Sequence, residues 1–109
     1  MKFRGFRTGS RVWGVHTDTS DYDIVVLPDE GERLARENVI ESFKGSNGES
    51  LYTNEDGRLF NIIVLEQAEY NAWEYATAML HSHTYDEIKR RLDRIRLFIE
   101  YCNKYKYMR

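Results

Sequence analysis

The chain has 109 residues, 31% of them charged, and a formal net charge of −2, which leaves room for one hydrophobic core and no second. That balance is not the bulk basicity of a nucleic-acid binder, no acidic block argues for a disordered tail, and no apolar run is long enough to cross a bilayer. Residues Met1 to Arg7 lack the apolar centre of a secretion signal, and the single Cys102 allows no internal disulfide, so the expected compartment is the reducing cytoplasm, with no membrane partner.

The chain opens with Phe3 and Phe6 set among basic residues. This reads as a first strand over Met1 to Arg7, with a register slip at Gly5 as an alternative. The strand ends at Gly9, and Ser10 is expected to cap a short helix. Asp21 to Leu27 is the clearest strand, β-branched toward its end and halted by Pro28, the only proline. Leu34, Val39, Ile40 and Phe43 give a loose helical spacing over Asp29 to Phe43, and Gly45-Ser46-Asn47-Gly48 is a loop by composition.

Ser50 to Thr53 and Arg58 to Leu65 flank Asp56-Gly57, a hairpin signal. The second run is apolar on both faces apart from Asn61 and reads as a central strand covered on both sides. Ala72, Trp73, Ala76, Met79 and Leu80 mark an amphipathic helix over Gln67 to Leu80. Thr84 with Glu87 three residues on is a capping box opening a last helix. Ile88, Leu92, Ile95, Ile99 and Cys102 are its expected buried stripe. The fold class that follows is α/β (α+β): a small mixed sheet of about four strands with helices packed against it, in one domain over residues 1–109.

The candidate site lies early. In a strand, side chains alternate, so Asp21 and Asp23 share one side and Tyr22 the other. Two carboxylates on one face repel unless a cation or proton sits between them, and a divalent metal is the economical reason to place them so. Gly9 lets backbone approach a phosphate, and a helix opening after Ser10 turns free N–H groups toward an anion. Arg11 adds a candidate charged hydrogen bond.

Gly9-Ser10, Gly14 and Ser20-Asp21-x-Asp23 together resemble the signature of the polymerase-β-type nucleotidyltransferase superfamily, closest to its minimal nucleotidyltransferase branch. The resemblance covers about the first quarter of the chain. It implies a nucleotidyltransferase-like core in which Asp21 and Asp23 are catalytic and hold Mg²⁺ (or Mn²⁺), while Gly9, Ser10 and Arg11 bind the phosphates of a nucleoside triphosphate. It implies transfer of NMP to a protein or RNA hydroxyl. It also implies a helix ahead of the first strand, for which the eight residues before Gly9 leave no room.

The family's third carboxylate belongs on the neighbouring strand, where this chain has Asn61. An amide offers a neutral oxygen to a metal but takes no proton. Glu66 falls on the opposite face by parity, and Asp56 lies at the hairpin tip. Asn61 reads equally well as a buried amide bonded to backbone. The alternative function is therefore a catalytically degenerate nucleotide-binding or protein-interaction module on the same fold, of antitoxin, inhibitor or sensor type, paired by resemblance with a helical protein partner.

Other features are blander. His81 and His83 have a spacing that suits metal ligands, but without cysteine neighbours a solvated loop is the commoner reading. His16, Glu74 and Asp86 read first as surface residues. Tyr85 to Arg109 holds eight basic residues against four acidic ones, a local charge of +4. Tyr101, Tyr105 and Tyr107 lie among them and are candidates to stack on bases, although a solvated helix face more often explains such a segment.

Overall fold

The computed structural model describes residues 2–40, 49–55 and 57–108. The first strand, β1, is Gly5–Thr8, later than the sequence pattern predicts. It pairs antiparallel with β2 (Tyr22–Val26), from Gly5 opposite Val26 to Thr8 opposite Asp23. No register slip occurs at Gly5. A Cβ there would overlap the Val25 carbonyl oxygen, so glycine lets the two backbones close. Between these strands lies the one-turn helix α1 (Ser10–Trp13). Its N-cap is Gly9 with no side-chain cap bond, so the expected Ser10 cap is corrected: Ser10 is already the first helical residue.

Pro28 ends β2 and opens α2 (Pro28–Arg36), where the missing proline N–H costs nothing. This helix stops well short of Phe43, because the chain turns through a left-handed Asn38. Phe43, the Gly45-to-Gly48 loop and Asp56 lie outside the described residues. The hairpin strands are β3 (Glu49–Glu55) and β4 (Arg58–Val64), longer than expected at the β3 end. They pair antiparallel, while β4 runs parallel to β2, with Asp23 opposite Asn61. The strands lie in the order β1-β2-β4-β3, a mixed sheet within a mixed α/β fold.

Alternation along β2 and β4 sends Ile24, Val26, Phe60, Ile62 and Val64 to one face, where they bury with Leu34 of α2 and with Ile40. Val25, Ile63 and Leu65 go to the other face and pack against Tyr70 and Trp73 of α3 (Gln67–His81). α3 is then covered by α5 (Arg91–Met108) through Ala72, Ala76, Cys102 and Phe98. Beneath α2, the buried Glu30 is tied by Arg33 Nε at 2.6 Å and by the Arg4 amide at 2.6 Å, which ties the segment leading into β1 to the helix.

The capping box is present at Thr84 and Glu87, but it opens a separate turn, α4 (Tyr85–Ile88). The break at Lys89 and Arg90 changes the helical phase, and this corrects the expected stripe. Ile88 and Cys102 are buried, whereas Leu92, Ile95 and Ile99 are 75%, 43% and 53% exposed. α5 instead turns Phe98, Tyr101, Cys102 and Tyr105 inward. No helix among the described residues is long and apolar enough to cross a membrane.

Candidate functional site

Asp23 sits where three strands meet in register. Thr8 flanks it on β1 and Asn61 on β4, so the end of β1 and the Gly9 turn are carried to its carboxylate. Gly9 has φ 88° and ψ −172°, a conformation nearly confined to glycine, and a Cβ on it would overlap Asp23 Oδ2. The turn that starts α1 therefore rests directly on the carboxylate.

A hydrogen-bond chain fixes the turn from behind. Thr77 Oγ1 donates to the Trp73 carbonyl at 2.7 Å, which uses its only proton. The 2.7 Å contact between Thr8 Oγ1 and Thr77 Oγ1 must then run from Thr8 as donor. Trp13 Nε1 donates to the Thr77 carbonyl at 3.1 Å, and its ring meets Phe98 edge-on at 6.0 Å. One residue of α3 thus anchors both the end of β1 and the end of α1.

Asn61 Nδ2 donates to Asp23 Oδ1 at 3.1 Å. The Asn61 Oδ1 atom is buried and has no hydrogen-bond partner among the described residues. Burial pushes the Asp23 carboxyl above its ordinary value of 3.8; the Asn61 hydrogen bond opposes that rise and the charge of nearby Asp21 adds to it. Asp21 is half-buried and stands one residue ahead of β2. Asp21 and Asp23 repel each other electrostatically, and carboxylates are the donors a hard divalent cation commonly takes, one or two at a time, completing its shell with water and substrate phosphate. No group of three or more His, Cys, Asp and Glu that could hold a metal occurs among the described residues.

Two cavities flank Asp23. The larger, about 450 Å³, brings together Gly9, Ser10, Asp23 and Asn61 with an apolar wall that includes Trp73 and Phe98, and with Arg91 and Arg94. The smaller, about 210 Å³, is lined by Arg7, Arg11, His16 and Tyr22 with Asp23. Arg11 is on that second side. Its Nε donates to the Ser20 carbonyl at 3.0 Å, its Nη2 reaches the carbonyls of Thr17 and Asp18, and its guanidinium lies 4.2 Å from the Tyr22 ring centroid. The side chain holds the loop that delivers the aspartates. Glu66 is the N-cap residue of α3, beyond the end of β4.

The remaining sequence candidates lie elsewhere. His83 Nε2 shares a 2.6 Å hydrogen bond with the Tyr101 hydroxyl, and its Nδ1 is 3.4 Å from Glu87 Oε2. Tyr101 and Tyr105 pack on Tyr75, so of the three tyrosines considered for base stacking only Tyr107 stands clear. Thr8, Trp13, Thr77, Arg91 and Arg94 escaped residue-by-residue reading. The basic segment pointed toward the arginines, whereas nothing in the sequence pattern marks Thr77. Comparison with protein-family models, with curated proteins and with solved structures gave no match.

Proposed function

We propose that this chain is a minimal nucleotidyltransferase-like domain that binds a nucleoside triphosphate with Mg²⁺ or Mn²⁺ and transfers NMP to a hydroxyl of a protein or RNA. The observation that carries the reading is the contact of the Gly9 turn with Asp23: amides suited to phosphate and a carboxylate suited to a metal are immediate neighbours. The first-quarter motif supplies the reaction class.

In such a transfer the acceptor oxygen bonds to the α-phosphorus as the bond to the bridging oxygen breaks. Pyrophosphate leaves and the acceptor hydroxyl loses its proton. Gly9 and Ser10 hold and orient the phosphates in line with the acceptor. Asp21 and Asp23 hold the cation, which supplies neutralisation of the triphosphate charge. Asn61 cannot take the acceptor proton, which would pass to solvent water. The test follows α-labelled nucleotide into an added RNA or protein acceptor or into the chain itself. Wild type should transfer label and Asp21→Asn with Asp23→Asn should not; transfer that survives the double change sinks the catalytic assignment.

A second reading rests on Asn61, whose Nδ2 occupies Asp23 Oδ1 where the family places a third carboxylate. There the chain binds nucleotide without turnover, as an antitoxin, inhibitor or sensor. The exposed row Leu92, Ile95 and Ile99 is then the surface for a helical protein partner. Mg²⁺-dependent nucleotide binding with no transfer by wild type, and transfer appearing in Asn61→Asp, would favour this reading over the first.

A further inference from the structure

The larger cavity has walls of opposite charge. Ser10, Asp23 and Asn61 stand on one, and Arg91 and Arg94, one helical turn apart at the start of α5, stand on the other. Arg94 is fixed in place, since its Nη1 donates to the carbonyls of Ile88 and Lys89, each at 2.9 Å, and so closes the end of α4. Burial pulls the Arg94 pKa down, and the charge of Arg91 pulls it further. The exposed Arg91 guanidinium makes no hydrogen bond or ion pair among the described residues. It also opens an 18-residue helix, the end at which a cation opposes the helix dipole. Two guanidiniums therefore crowd one wall, facing Asp23 and Asn61 on the other.

We infer that Arg91 is a further substrate-binding residue of this cavity, taking the terminal phosphates of a nucleoside triphosphate from the side opposite the Gly9–Ser10 turn. Arg94 acts as a positioning residue by holding the α4–α5 junction. A planar guanidinium can grip two phosphate oxygens at once. The intervening wall of Trp73, Ile95 and Phe98 is apolar and suits the flat face of a base. The ligand chemistry that fits all three walls is a polyphosphate with a flat aromatic head. This inference rests on the nucleotide reading above, but adds a binding group that the first-quarter motif does not contain.

Calorimetric titration of Mg²⁺-tripolyphosphate and of each of the four Mg²⁺-NTPs tests it, using wild type, Arg91→Ala, Arg91→Lys and the exposed control Arg96→Ala. Arg91→Ala should weaken both ligand classes by about tenfold or more, with a shallower salt dependence. Arg91→Lys should recover part of the loss, and Arg96→Ala should bind as wild type. Wild-type affinity in Arg91→Ala, with binding still abolished by Asp21→Asn and Asp23→Asn, would overturn the role of Arg91 and leave the nucleotide reading standing. Tripolyphosphate binding that needs Arg91, without binding of any NTP, would contradict the nucleotide reading and leave Arg91 an anion site. A wild-type chain that binds neither ligand overturns both.

Discussion

A Cβ added to Gly9 would overlap Asp23 Oδ2 and lie 3.0 Å from the carboxyl carbon. Contact and backbone conformation both exclude a side chain, so Gly9→Ala should cost about 1–3 kcal/mol. In a domain of this size each kcal/mol lowers Tm by roughly 4–8 °C. Thermal melting gives the stability loss. Because the turn must also withdraw from Asp23, nucleotide affinity should fall in the same variant at temperatures where it remains folded.

The Thr8–Thr77 pair is a test of how the turn is held. Thr77→Val removes the acceptor for a buried hydroxyl and should cost about 1–3 kcal/mol. Thr8→Val in the same background leaves no orphaned donor, so the double variant should be less destabilised than the sum of the singles, with a coupling of about 0.5–3 kcal/mol. Denaturant unfolding of the four proteins measures that coupling.

Asp23 and Glu30 should show opposite pH dependences. The native pKa of Asp23 is raised, so its favourable contribution is present below pH 3.8 and is lost as pH rises through the native value. Asp23→Asn should therefore stabilise the metal-free protein near neutral pH, by a margin that vanishes below pH 3.8. Hydrogen bonds from Arg33 hold Glu30 below its ordinary 4.5, with the Arg4 amide adding to them. Its contribution is present above pH 4.5 and is lost as pH falls through the lowered native value. Glu30→Gln should accordingly destabilise at neutral pH and converge on wild type in acid. Unfolding curves across the acid range distinguish the two.

Substitutions on α5 should divide by face. Leu92→Ser should change stability by less than about 0.5 kcal/mol, because this leucine is exposed. Phe98→Ala should cost about 3 kcal/mol, since its ring packs on Trp13 and Trp73. Loss of a folded monomer on Leu92→Ser would place that residue in a core and contradict the observed phase of the helix.

The α5 result shows where sequence pattern stops being informative. α5 carries two apolar rows, Leu92-Ile95-Ile99 and Phe98-Cys102-Tyr105, both at helical spacing. Periodicity alone joined Ile88 to the first row, because the break at Lys89 and Arg90 contains neither glycine nor proline. The elements whose signals are local were legible: the β-branched run of β2, the hairpin between β3 and β4, and the small-residue face of α3. The Gly9–Asp23 contact was half legible, in that the motif names both residues but not the conformation that makes Gly9 rather than Ser10 the cap. The Asn61–Asp23 hydrogen bond joins residues 38 positions apart through a parallel pairing. Sequence parity puts Asn61 on a face, but only the register sets it opposite Asp23. The approach of Arg91 depends on how α5 lies across α3, which no spacing encodes.

The central claim is that Gly9, Ser10, Asp21 and Asp23 form one platform for a metal-bound triphosphate. Calorimetric titration of wild type with each NTP, in the presence of Mg²⁺ and then of chelator, tests it most directly when set beside Asp21→Asn with Asp23→Asn. The expected result is saturable binding of at least one NTP that disappears on removing Mg²⁺ and in the double variant. Binding indifferent to both changes, or no binding by folded wild type, would contradict it.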